Sequence, residues 1–141
     1  MQQIDLINKW FQKAYNDLIT AFHMFMNVHP KQNEISCYHC QQAVEKALKA
    51  FLLFTDIEAP YTHDLAMLCQ LCIEQDSSFS NYLDDCADLS QYATRARYPD
   101  DIEITEEETS IALHKALLIY QFIYGLIPNI DKSLHFDNAT V

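Results

Sequence analysis

Ile4, Ile7, Phe11, Ala14, Leu18, Ala21 and Phe25 recur at alternating steps of three and four, drawing an apolar stripe down one face of a helix. Tyr15 and Phe22 widen the stripe to the breadth a bundle helix buries, and Pro30 ends it. A second helix is expected after Asn33, a residue suited to capping, with Cys40, Val44, Ala47, Phe51 and Phe54 inward. Gln42, Glu45 and Lys49 fall on its other face, and Glu45 precedes Lys49 by four residues, the favourable order for a helical ion pair. Asp56 to Tyr61, with Pro60, reads as a connection. Thr62 can cap a shorter third helix with Leu65, Leu68, Cys69 and Cys72 inward. The polar stretch Glu74 to Ser78 separates it from a fourth helix striped by Tyr82, Cys86, Leu89 and Ala93. Pro99 disfavours helical geometry at Tyr98 and ends that helix.

Thr105-Glu106-Glu107-Glu108 is a capping box whose carboxylates suit the positive end of a helix dipole. Ala116 to Ile127 is apolar nearly all round, which predicts a helix either central in the bundle or shared with a partner chain, ended by Pro128. The expectation is an all-α, up-and-down bundle of four or five helices over residues 1–128, with 129–141 a loosely held tail. More than about 60% of the chain should be helical, well above the usual third.

Composition sharpens this picture. The 141 residues contain one glycine, Gly125, where an average chain of this length carries about ten. Sheets joined by tight turns need glycine at positive φ and helices do not. The net charge of −11, from 20 acidic and 9 basic residues, excludes extended DNA binding through phosphate neutralisation and disfavours an anionic membrane. The N-terminus lacks the basic and apolar regions of a signal peptide, and the longest apolar run, Ile111 to Ile127, is too short and too interrupted to span a bilayer. Five cysteines, an odd number, read as reduced thiols of a cytoplasmic protein.

Candidate chemistry is sparse. Cys37-x-x-Cys40 and Cys69-x-x-Cys72 have the form of half-sites for zinc, but both fall on helices without a nearby glycine turn. They read as small core hydrophobes, so neither metal nor cofactor is expected. His63 beside Asp64 offers an acid–base pair or a simple helix cap. Arg95 and Arg97 are the two arginines of the chain, just before Tyr98-Pro99-Asp100. They read either as phosphate contacts or as helix-end cations paired with Asp100, Asp101 or Glu103.

Three blocks, in order, resemble the HEPN domain family. His39-Cys40-Gln41-Gln42-Ala43-Val44-Glu45-Lys46-Ala47-Leu48-Lys49-Ala50 is similar to its second-helix signature, Thr62-His63-Asp64-Leu65 to the start of its third helix, and Arg97-Tyr98-Pro99-Asp100 with the following acidic helix start to its third block. The resemblance implies a helical homodimer that binds nucleotide or RNA near these signatures. It also implies a nucleotidyltransferase-type partner in a two-component, toxin–antitoxin-like system. Under it Arg97 is the phosphate contact, Arg95, Lys46 and Lys49 are supporting cations, and His63 and Tyr98 are polar and stacking groups.

Many members of the family are metal-independent endoribonucleases in which four to six residues separate an arginine from a following histidine. Here those positions are Asp100, Asp101 and Ile102 after Arg95, and Ile102, Glu103 and Ile104 after Arg97. A non-catalytic binding role is therefore expected. The rivals are a ribonuclease with His63 or His39 as its base, and a purely structural bundle.

Overall fold

The computed structural model describes residues 3–95 and 103–137. It is 77% helical, with five helices and, among the described residues, no strand. They are α1 (Gln3–Met26), α2 (Asn33–Phe54), α3 (Leu65–Gln75), α4 (Leu83–Ser90) and α5 (Glu106–Leu126). The predicted stripe of α1 is its buried face: Ile7, Phe11, Ala14, Leu18 and Ala21 are all in the core. Among the described residues, no helix is long and apolar enough to cross a membrane.

The central helix is α2, which packs against α1, α3, α4 and α5. Its buried residues include Ala43, Ala47 and Ala50, small enough to let neighbouring backbones approach closely. The turn into it is fastened by Ser36 Oγ donating to Ala21 O at 2.7 Å and by Lys31 Nζ donating to Phe25 O at 2.9 Å. Its N-cap is Gln32 rather than Asn33, and no side chain caps it. It ends where Ile57 N bonds Leu52 O at 2.8 Å and Asp56 N bonds Leu53 O at 3.0 Å, the paired closure of a Schellman motif. Asp56 takes the left-handed position there (φ 61°) and Asn129 does the same after α5 (φ 66°). Two short polar residues thus stand where most chains use glycine. Gly125 itself lies inside α5.

The expected third and fourth helices are adjusted by local hydrogen bonding. Asp64, not Thr62, caps α3 by accepting from Met67 N at 3.2 Å, while Thr62 Oγ1 accepts from Asp64 N at 3.1 Å. The fourth helix is broken into a 3-10 turn (Ser77–Tyr82), α4, and a second 3-10 turn (Gln91–Ala93). Asp76 starts the first turn by taking both the amide and the hydroxyl of Ser78, bonding that competes with a regular helix.

Residues 129–137 fold back onto the bundle. Ile130, Leu134 and Phe136 are buried. Tyr120 Oη donates to Leu134 O, Gln121 Nε2 donates to Phe136 O at 2.9 Å, and Asp131 N donates to Asn8 Oδ1 at 3.0 Å. The Phe136 ring sits 5.7 Å from Tyr15, 5.6 Å from Phe22 and 6.2 Å from Tyr120. This segment covers one side of α5, and Phe79 and Tyr82, whose rings lie 5.0 Å and 4.5 Å from that of Phe122, cover another. The all-round apolar character of α5 is thus largely used within the chain, leaving Ile111 and Leu118 exposed.

Candidate functional site

Two carboxylates organise the polar groups of α2. On one side Asp17 of α1 takes His39 Nδ1 on Oδ1 at 2.8 Å and Lys46 Nζ on Oδ2. On the other, Glu45 takes His63 Nδ1 on Oε1 at 2.8 Å and Lys49 Nζ on Oε2 at 3.1 Å. His39 and Lys46 are seven residues apart and Glu45 and Lys49 four, spacings that keep each pair on one helix face. Gln41, fully buried, donates to Glu45 Oε1 and to His63 O, each at 3.1 Å. Ser90 Oγ donates to the same carbonyl at 3.3 Å and accepts from Leu65 N at 3.0 Å, which pins the start of α3 to the end of α4.

These contacts fix the chemistry of His63. A carboxylate only accepts, so the Nδ1 proton faces Glu45 and the neutral ring keeps its lone pair at Nε2. The side chain is 57% exposed while that of Glu45 is 6% exposed. A solvent-facing imidazole oriented by a buried carboxylate can accept a proton or a hydrogen bond from a ligand at Nε2.

A separate cluster lies where α4 ends and α5 begins. Thr105 caps α5 by accepting from Glu108 N at 3.1 Å, the first half of the expected box. The Glu108 carboxylate is turned instead to Tyr92 Oη and to the Arg95 guanidinium, which also donates to Gln91 Oε1 at 2.8 Å. Burial and then the Glu108 acceptor push the Tyr92 phenol up, so it stays protonated and donates. Hydrogen bonding to Glu108 raises Arg95 further above its ordinary value. Among the described residues, Arg95 pairs with Glu108 of the final helix.

A groove of about 310 Å3 opens beside Lys49, between α1, the C-terminal part of α2 and the connection to α3. Trp10, Leu53, Ile57, Pro60 and Tyr61 line it, with Glu58 at its edge. Tyr61 is 97% exposed, and its ring centroid lies 6.1 Å from that of His63.

Of the expected site residues, Lys49 and His63 share Glu45, and His39 and Lys46 share Asp17. Arg95 belongs to the separate Glu108 cluster. Arg97 and Tyr98 lie outside the described residues. The outward position expected for Glu45 is wrong: it is buried, because His63, Lys49 and Gln41 satisfy its oxygens. Sequence reading also missed Asp17 and the Trp10–Tyr61 groove. The signal for Asp17 is an acid wedged beside the apolar stripe, between Ala14 and Leu18; for the groove there is none, since its walls come from three segments.

The two C-x-x-C pairs lie on α2 and α3, and all five thiols are buried. Cys37 Sγ donates to Thr109 Oγ1 at 3.6 Å and Cys72 Sγ to Leu48 O at 3.9 Å, contacts of packed core thiols. Among the described residues, no group of three or more His, Cys, Asp or Glu is arranged to hold a metal ion.

No curated protein and no solved structure matches the chain. The HEPN domain model matches residues 7–126, a span that runs from the buried stripe of α1 to the last residue of α5 and takes in both carboxylate clusters. The five-helix bundle, the polar α2 and this match over most of the chain agree: the protein belongs to the HEPN domain family.

Proposed function

We propose that the chain is a nucleotide- or RNA-binding HEPN module that works with a nucleotidyltransferase-type protein in a two-component, toxin–antitoxin-like system. The observation that carries the reading is the family match over residues 7–126, together with the histidine missing after both arginines. The anion contacts are Arg97 first, with Arg95, Lys46, Lys49, Tyr98 and His63 in support. Lys46, Lys49 and Arg95 are each held on a carboxylate. Such pairs keep cations oriented while lowering the net positive charge a ligand meets, which suits modest and selective anion binding. The chain acts in the cytoplasm as a homodimer, and Ile111 and Leu118 on α5 are its exposed apolar contacts.

One observation favours a second reading, a metal-independent endoribonuclease. His63 has the orientation of a general base on a buried carboxylate. Incubating RNA with pure protein in chelator separates the two. The binding reading expects bound, intact RNA; multiple-turnover cleavage abolished by His63→Ala would replace it with the enzyme.

A further inference from the structure

We propose that the groove beside Lys49 is a subsite for a nucleobase bearing a phosphate, with Trp10 and Tyr61 as its aromatic surfaces. The inference rests on the nucleotide- or RNA-binding reading above and adds where the base goes. Four features of the groove point to such a ligand. Its walls are apolar or aromatic except for Lys49 and Glu58. Its volume, about 310 Å3, is at the small end for ligand pockets, enough for one ring system and too little for a folded partner element.

Tyr61 is 97% exposed, so a large ring stands in water at the lip of an apolar surface, where a stacked base would cover it. Pro60 sets the backbone beside it, limiting what the lip loses in freedom on binding. Charge then orients the ligand. The Lys49 ammonium has three donors and Glu45 Oε2 accepts from it at 3.1 Å, leaving donors for an anion. Glu58 repels that anion and accepts from the N–H edge of a base, so phosphate points to Lys49 and the base edge to Glu58.

Trp10 is the one tryptophan of the chain, so its emission reports on this groove. The probes are AMP, GMP, CMP and UMP, a short single-stranded RNA, and ribose 5-phosphate as the phosphate without a base. Calorimetry on wild type, Tyr61→Ala and Trp10→Leu runs in parallel, with circular dichroism to verify folding. The expected result is quenching by base-bearing ligands alone, and affinity about tenfold weaker in both variants. Saturation by mononucleotides identifies a free nucleotide as the source, and quenching by RNA alone a strand; either supports the subsite. Calorimetric binding that leaves Trp10 emission and the Tyr61→Ala affinity unchanged overturns the subsite and leaves the proposed function standing. Binding of no nucleotide and no RNA overturns both.

Discussion

Glu45 lies 2.8 Å from His63, joining the middle of α2 to the chain just before α3, and its other oxygen holds Lys49 at 3.1 Å. One buried carboxylate thus serves fold and surface chemistry together: it closes a polar network in the core and orients an imidazole at the surface.

Removing that carboxylate strands Gln41 and Lys49 in a largely buried setting. Glu45→Ala is expected to cost about 3–5 kcal/mol, the range for breaking a buried pair from one side. His63→Ala, at the half-exposed end, should cost about 1 kcal/mol or less. Urea denaturation of both variants checks the contrast, and equal losses would show that Glu45 is not the hub of the network.

The segment after Pro128 is structural on this account. Truncation there strips Ile130, Leu134 and Phe136 from the core and leaves Tyr120 without its acceptor. At about 1.5–3 kcal/mol for each buried apolar side chain, the loss should be about 4 kcal/mol or more. A truncated chain that melts where the full chain does would mean these residues contribute little.

Much of the bundle is written in its apolar stripes, and the reasons are local. The buried face of α1 follows from a 3.6-residue period that nothing interrupts, and the α5 start from Thr105, whose cap forms within four residues. What stays hidden depends on partners distant in sequence. Glu45 looks like an outward acid until His63, 18 residues later, turns out to meet it. Likewise Phe136 looks like part of a tail until Tyr15 and Phe22 are seen beside it. The break around α4 has a local cause, Asp76 bonding to Ser78, but periodicity does not register it. The candidate site was legible as residue types on α2 and at His63 and as the Glu45–Lys49 pair, but not as the pairs that join different segments.

The thiols should be silent in the native protein. Burial pushes the Cys37 thiol up to about 11 and also raises Cys40 and Cys72. The Cys69 thiol is lowered by its hydrogen bond with Cys86, whose own value that bond raises, but Cys69 is fully buried. An aromatic disulfide reagent at pH 8 should label native protein slowly and all five cysteines after unfolding. Rapid, stoichiometric labelling of native protein would contradict the buried placement.

Acid should weaken the fold partly through two turn-forming aspartates. Asp76, bonded by the Ser78 hydroxyl and amide, and Asp131, bonded by the Ser133 amide and hydroxyl, are both held below the usual 3.8. A carboxyl depressed in the folded state adds stability above its unfolded value, and that stability fades as pH falls through the folded value. Melting temperature should therefore fall as pH drops below about 4, and Asp76→Asn should flatten part of that slope. An unchanged slope in the variant would remove Asp76 from the cause.

Nucleotide binding is the central claim, and calorimetry with a nucleotide panel on wild type, Arg97→Ala and Lys9→Ala tests it most directly. Losing one charged hydrogen bond to phosphate costs about 1.5–3 kcal/mol, roughly ten- to a hundredfold in affinity. The account predicts a nucleotide that binds wild type and Lys9→Ala alike and Arg97→Ala more weakly by that factor. Equal binding by all three, or no binding to any nucleotide, would contradict it.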